Sequence, residues 1–257
     1  MICGVAADLG TMGSPVSAYR PTGFAAYRIR RDVMLQRVDL GEVPYEHAVE
    51  QMAGWVDERQ QGLAEDRLFL LSHPPVITYG PRTAPADLPP PGSGIQTVQV
   101  DRGGFATYHG PGQLVGYLVV SVRERGPVDI VRWLETGLVA ALAELGFRAL
   151  RRDTPHGSPS LVGVWTFEGE KIASIGMRIR GGVTSHGFAL NVDPDMSAFE
   201  HFTACGLHDV TMTSLAREAE RQGTAVPSET AVRTAVAAAL GVNHQVAETP
   251  DDWQFAR

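Results

Sequence analysis

Lysine is almost absent from this 257-residue chain. Lys171 is the only one, and the other 21 of its 22 Lys and Arg residues are arginine. Cysteine is nearly as scarce. Cys3 and Cys205 are the only two, too few for a disulfide framework, which leaves Cys205 as a free thiol in the folded part. No run of about 18 apolar residues occurs, so no membrane-spanning helix is expected. No basic residue precedes Arg20, so the N-terminus lacks the charged start of a secretory signal, and a cytoplasmic protein without membrane contact is expected. There is no CxxC pair and no HExxH helix. His201, Cys205 and His208 have ligand-like spacing, but alone they make a weak case for zinc, and no metal is expected. The net charge of -7 argues against a nucleic-acid partner.

What is present is ordinary for a globular chain: 44% hydrophobic and 20% charged residues. Residues 1–22 read as a flexible extension rich in Gly, Ala, Ser and Pro. Residues 249–257 read as a tail, and 23–248 as one domain without an internal linker or repeat. Strands are expected at 24–30 and 34–43. An amphipathic helix follows over 44–64, where Tyr45, Ala48, Val49, Met52, Trp55 and Val56 keep helical spacing. The run 67–80 reads as two strands broken at Pro74-Pro75. Strands at 95–104 and 113–122 flank a glycine-rich loop. A second helix fills 127–146, with Pro127 at its start and Gly146 as its stop. Three adjacent strands follow at 161–167, 171–180 and 183–192, turned at Gly169 and at Gly181-Gly182. Helices near 213–222 and 228–240 end the domain. The pattern predicts an α/β (α+β) fold on a largely antiparallel or mixed sheet flanked by helices.

Three features carry chemistry. By strict alternation, Lys171 shares a strand face with Ala173, Ile175, Met177 and Ile179, while Ser174, Gly176 and Arg178 face the other way. Two readings are open. A lysine at the end of an apolar strand can snorkel to solvent. Alternatively, the position needs a cation that can lose its proton near neutral pH, which a desolvated lysine can do and an arginine cannot. Cys205 sits between Ala204 and Gly206. It is either a small buried hydrophobe or an accessible nucleophile whose neighbours leave backbone N–H groups for an oxyanion. The two nucleophilic readings reinforce each other if Lys171 meets Cys205 in space. The loop "DRGGFATYHGPGQ" at 101–113 lets the backbone approach a ligand closely. It lacks the GKS/T ending of a phosphate loop, and a plain hairpin connection leaves its Arg102, Thr107, His109 and Gln113 without a role. The arginine clusters at 27–32, 147–153 and 177–182 are either solvated strand faces or a basic patch for an acidic partner.

Taken together, "RGGFATYHGPGQLVGY", "GVWTFEGEKIASIG", "SHGFALNV" and "ACG", with "HPPVITYG" before them, resemble the lipoyl(octanoyl) transferase family over about residues 24–240. The resemblance implies a single domain with the fold of the biotin and lipoate cofactor ligases. The implied reaction moves an octanoyl group from octanoyl-acyl carrier protein, through an acyl-cysteine, to a lysine of lipoyl domains. Those acceptors are the lipoyl domains of 2-oxoacid dehydrogenase complexes and the glycine cleavage H protein, and no cofactor is needed. Cys205 then matches the nucleophile and Lys171 its partner. Arg102, Gly103, Gly104, Phe105, Ala106, Thr107, Tyr108 and His109 match segments that hold the acyl substrate. So do Ser174, Ile175 and Gly176, and Gly187, Phe188 and Ala189, with His186 beside them. Ala204 departs from the family, which usually has proline before the cysteine. The same fold would also accommodate an ATP-dependent lipoate ligase, or an acyl or carrier-protein binder without turnover.

Overall fold

The computed structural model describes residues 35–123 and 126–247. The expected extension at 1–22, the strand at 24–30 and the tail at 249–257 lie outside them. Eight strands form one mixed sheet. Its first three are β1 (Leu35–Glu42), β2 (Arg67–Ser72) and β6 (Gln113–Val119). Its other half holds β10 (Val183–Asn191), β9 (Lys171–Arg180), β8 (Gly163–Trp165) and β7 (Leu150–Arg151), with β11 (Val242–Ala247) on the far edge. The order is β11-β1-β2-β6-β10-β9-β8-β7. β1 runs parallel to both β11 and β2, and the remaining pairs are antiparallel. A second sheet of three strands, in the order β4-β3-β5, is built from β3 (Val76–Tyr79), β4 (Gln96–Gln99) and β5 (Thr107–His109).

The large sheet is covered on both faces, and the sequence shows why. β2 reads RLFLLS, an almost unbroken apolar run rather than an alternation, the signature of a strand buried on both sides. Leu68 and Leu70 point into one core with Leu118, Leu134 and Val236. Phe69 and Leu71 point into the other with Met52, Trp55 and Val115. The first core lies under α2 (Pro127–Glu144), α3 (Leu215–Gln222) and α4 (Glu229–Ala239), and the second under α1 (Tyr45–Gln61). α2 starts at Pro127, where a missing N–H costs nothing, and the Asp129 carboxylate accepts from Gly126 N at 3.3 Å. Ser214 and Ser228 cap α3 and α4 through Arg217 N and Ala231 N.

Pro74-Pro75 does separate β2 from β3, and β8, β9 and β10 do form an antiparallel set. The expected strand at 95–104 ends at Gln99, and part of the glycine-rich loop is strand β5 instead. β5 has only three residues, all buried, and it pairs with β3. Its order comes from tertiary pairing that no local pattern announces.

Removing side-chain volume should be felt within the shared core and not outside it. Leu118, fully buried, should lose about 2–5 kcal/mol on substitution by alanine, whereas Leu63→Ala should fall within about 0.5 kcal/mol. Leu63 is 75% exposed. Chemical denaturation of the two variants measures both.

Candidate active site

Strict alternation fails at the start of β9, and the site depends on that failure. Gly163 pairs with Ser174 and Val164 with Ala173, but Trp165 pairs with Lys171, so Ile172 is an extra residue. This is a β-bulge, which turns the residues beyond it onto the other face. Ile172 and Ala173 both enter the core under α2. Lys171 therefore leaves the Ala173 face, where alternation had put it, and joins Ser174. Two further observations agree. The Lys171 ammonium lies over the Trp165 ring at 5.3 Å, and a Cβ added to Gly163, opposite Ser174, would come within 2.5 Å of Lys171 Cε. The backbone of Lys171 is clamped by the segment 211–213: its N–H donates to Thr211 O at 2.9 Å, and its carbonyl accepts from Thr213 N at 3.0 Å. Lys171 does not snorkel; it is 2% exposed.

Cys205 reaches the same place from the far end of the chain. It lies in a short 3₁₀ turn, Ala204–Gly206, with φ 59° and ψ 14°. A non-glycine residue there carries backbone strain, of order 1–3 kcal/mol, that its surroundings must impose. They do so through Cys205 N, which donates to Ala106 O at 2.8 Å, and Leu207 N, which donates to Ala204 O at 3.1 Å. The N–H of Cys205 itself is thus engaged and is not free for an oxyanion. Ser174 Oγ is 3.4 Å from Cys205 Sγ, and the Lys171 ammonium is near enough for its charge to act on the same sulfur. Burial alone would push the thiol up. The Lys171 charge, the hydrogen bonds from Ser174 and Lys171, and the Arg102 charge outweigh it and hold the thiol below its ordinary value.

A cavity of about 220 Å³ opens beside the sulfur. Fifteen of the residues singled out from the sequence line it: Lys171 and Cys205; Arg102, Gly103, Gly104, Phe105, Thr107 and His109; Ser174, Ile175 and Gly176; and His186, Gly187, Phe188 and Ala189. Ala106 and Tyr108 do not. Alternation along β5 turns Thr107 and His109 inward and sends Tyr108 to pack against Phe199. The cavity draws on both sheet faces because β8 stops at Gly163. Beyond that point the edge of β9 meets the glycine loop, where Gly103 N donates to Met177 O at 3.1 Å. A Cβ on Gly176 would stand 2.9 Å from Gly103 O, so only glycine permits that approach.

Arg102 is a brace as much as a wall. It is 6% exposed and donates to Gly103 O, Phe105 O and Thr78 O, each at 3.0 Å, and to Thr78 Oγ1 at 2.7 Å. Three buried imidazoles in this region are uncharged. Burial takes His73 down to about 4. Burial, with the Arg102 and Arg178 charges, takes His186 to about 3. Burial and the charges of its neighbours hold His109 well below 6.5. His73 Nδ1 faces the Val43 carbonyl at 2.6 Å and so carries the proton, which leaves Nε2 to accept from Tyr117 OH at 2.7 Å. Neutral His186 makes no ion pair with Asp101 at 3.6 Å; the ion partner of Asp101 is Arg178. His186 itself holds φ 58° inside a strand, a second strained residue at the cavity wall.

Several lining residues escaped the sequence reading: Tyr45, Arg82, Tyr117, Val131, Val162 and Met177. Burial raises Tyr45 to about 12, and its hydroxyl lies close to Thr78 and Arg102 without a well-directed bond. Behind the lining, Gln113 donates to Asn191 Oδ1 and Asn191 to Thr213 O, both at 2.8 Å, so that the clamp on Lys171 is tied to β6 and β10. Glu135, buried mid-way along α2, accepts from Gly163 N at 2.9 Å. Its signal was an acid within the apolar spacing of Val131, Leu138 and Leu142. His201 and His208 are exposed and do not line the cavity. Among the described residues, no three His, Cys, Asp or Glu side chains converge as metal ligands.

Known proteins carry the same arrangement of chain. The model of the lipoyl protein ligase A/B catalytic domain matches residues 44–240. An octanoyltransferase of Frankia casuarinae is 49% identical over 191 residues, 74% of this chain and 86% of the relative. An octanoyltransferase of Nocardia farcinica is 42% identical over 210 residues, 79% of this chain and 80% of the relative. A lipoate-protein ligase A crystallised with ATP superposes with a TM-score of 0.65 over 86% of this chain and 91% of that one, at 17% identity, which speaks to the fold alone. The mixed sheet between helices is the fold of that ligase, and by sequence this chain belongs to the lipoyl protein ligase A/B catalytic domain family.

Proposed function

We propose that this protein is an octanoyltransferase of protein lipoylation, working through an octanoyl-Cys205 intermediate. The observation that carries the reading is a half-buried thiol, held below its ordinary pKa by the only lysine of the chain, at the mouth of an acyl-sized cavity. The relatives named octanoyltransferase support the acyl group. Octanoyl-acyl carrier protein is the donor. The acceptor is a lysine on a lipoyl domain, in 2-oxoacid dehydrogenases or the glycine cleavage H protein. No helix among the described residues is long and apolar enough to cross a membrane, and the reading places the protein with its carrier-protein donor in the cytoplasm.

The chemistry follows from the site. Lys171 takes the Cys205 proton, and the thiolate attacks the thioester carbonyl carbon. The Cys205 N–H is engaged with Ala106, so the oxyanion is left to the Ser174 hydroxyl and the Lys171 ammonium, both beside the sulfur. Collapse breaks the carbon–sulfur bond of the donor, and Lys171 returns its proton to the departing pantetheine thiolate. The neutral acceptor amine then attacks octanoyl-Cys205. The proton it sheds passes through Lys171 to the Cys205 thiolate, and the amide leaves. Arg82, in the cavity lining, is a cation that can meet acidic partners in turn.

Three measurements test this. Wild-type protein incubated with octanoyl-acyl carrier protein should gain one octanoyl mass that hydroxylamine removes and an acceptor lipoyl domain discharges; Cys205→Ser should show no equal adduct. A mass shift that requires ATP would instead support the ligase chemistry. Lys171→Arg should lose at least about 100-fold in turnover, because guanidinium cannot cycle a proton near neutral pH. Alkylation by iodoacetamide, followed at the Cys205 peptide, reads the thiolate. Its half-maximal pH should lie below that of an ordinary thiol. Removing the ammonium in Lys171→Met should move it up, because the largest influence favouring the thiolate is gone.

A further inference from the structure

Glu135 is a buried acid that the acyl-transfer steps do not use. It sits in α2 on the side that faces β8, 3% exposed, in a stretch otherwise packed with Ile130, Leu134 and Leu138. Burying a carboxylate is costly unless it is engaged. Its Oε1 accepts from Gly163 N at 2.9 Å, and its Oε2 lies 3.9 Å from the guanidinium of Arg151, which is itself bound to Asp153 at 2.9 Å. Gly163 is the residue packed directly against the lysine. With φ at +139°, it brings the bare Cα to a point where a Cβ would meet Lys171 Cε at 2.5 Å and Lys171 Nζ at 3.3 Å. Glu135, Gly163 and Lys171 therefore form a stack from helix to strand to strand.

We propose that Glu135 is a positioning residue for Lys171: by holding the Gly163 N–H it fixes the wall against which the lysine's last carbons pack, and it sets a buried negative charge behind the ammonium. This rests on Lys171 as the proton carrier of the transfer. The groups that share this environment are few. Lys171 is faced by Cys205 and Ser174 on one side and by the Trp165 ring on the other. Glu135 is faced by Arg151 and Asp153 from β7 and the segment after it, and by Lys171. Burial raises the Glu135 carboxyl, while the Gly163 N–H, Arg151 and Lys171 favour its ionised form against Asp153. A dry neighbourhood makes such coupling larger than it would be at the surface. A lysine so held has its amine at one spot in both half-reactions.

The single lysine makes the test direct. Protein grown on lysine labelled at Cε and Nζ should give one lysine side-chain NMR signal, that of Lys171. Glu135→Gln keeps an acceptor for Gly163 N and removes the charge; its lysine titration should fall by about one pH unit, with kcat down about 10-fold and KM for the octanoyl thioester within about twofold. Glu135→Asp keeps the charge but shortens the reach by one methylene. Its lysine titration should stay within about 0.3 unit of wild type while kcat falls by a similar factor, because the Gly163 wall is loosened. A Gln variant whose lysine titrates as in wild type overturns the proposal, whatever its thermal stability. So does wild-type kcat in the Asp variant, which keeps the test open should the Gln variant not fold. Octanoyl loading of wild-type Cys205, measured alongside, reports separately on the transfer mechanism. If loading fails while the lysine titration still follows Glu135, the transfer mechanism falls and the Glu135–Lys171 coupling stands.

Discussion

The extra residue at Ile172 is the constraint on which the rest of the site depends. Without the bulge, Lys171 and Ser174 would lie on opposite faces of β9, three residues apart, and one of them could not meet Cys205. With it, both converge on one sulfur while Ile172 and Ala173 stay together in the core. A bulge gives up regular ladder pairing, and on its other edge the Lys171 backbone is held by the clamp from 211–213. The clamp belongs to the same stretch of chain that returns from Cys205 to α3. Cys205 and Lys171 are thus tied together through the main chain as well as through side chains.

Electrostatics at the sulfur follow from which nearby groups are charged. His73, His109 and His186 are all driven neutral at physiological pH by burial, and Arg102 adds to the effect on the last two. The positive charges that act on Cys205 are then Lys171 and Arg102, one able to give up a proton and one not. Arg102 is committed to four oxygens of the backbone and Thr78, so its contribution is a fixed field that does not move with substrate. Preorganisation of this kind costs nothing at the moment of reaction. The glycine loop that Arg102 braces also supplies the Ala106 carbonyl that holds Cys205 in its strained conformation, so the cavity wall and Cys205 are set by one loop.

Much of this was legible in the sequence, and the limits are instructive. The two-sided burial of β2, the break at Pro74-Pro75 and the helix over 127–146 follow from local patterns, and each is a statement about neighbours in the chain. β5 was not legible, because three residues gain their order only from pairing with β3. The face of Lys171 was misread for the related reason that alternation assumes an unbroken ladder, and a bulge is visible only against its partner strand. Cys205 and Lys171 could be named from a cysteine between small residues and a solitary lysine, yet their meeting depends on the bulge. Tyr45, Tyr117 and Glu135 look like ordinary members of an amphipathic helix, a strand and an apolar helix until the elements are assembled.

Fold and chemistry separate cleanly in this family. The chain shares its architecture with a ligase that binds ATP, at 17% identity, and the architecture alone is compatible with either way of activating an acyl group. A ligase spends a nucleotide to make a reactive acyl group, so its site needs no nucleophile of its own. A transferase receives the group already activated as a thioester and needs somewhere to hold it. The side chains bear on the choice, and here they are a thiol in a strained turn, its pKa lowered by the charge of a lysine with almost no access to water. Strain at Cys205 and burial at Lys171 both cost stability. Neither would be needed to bind an acyl chain, and both fit the proposed attack of a Cys205 thiolate on a thioester.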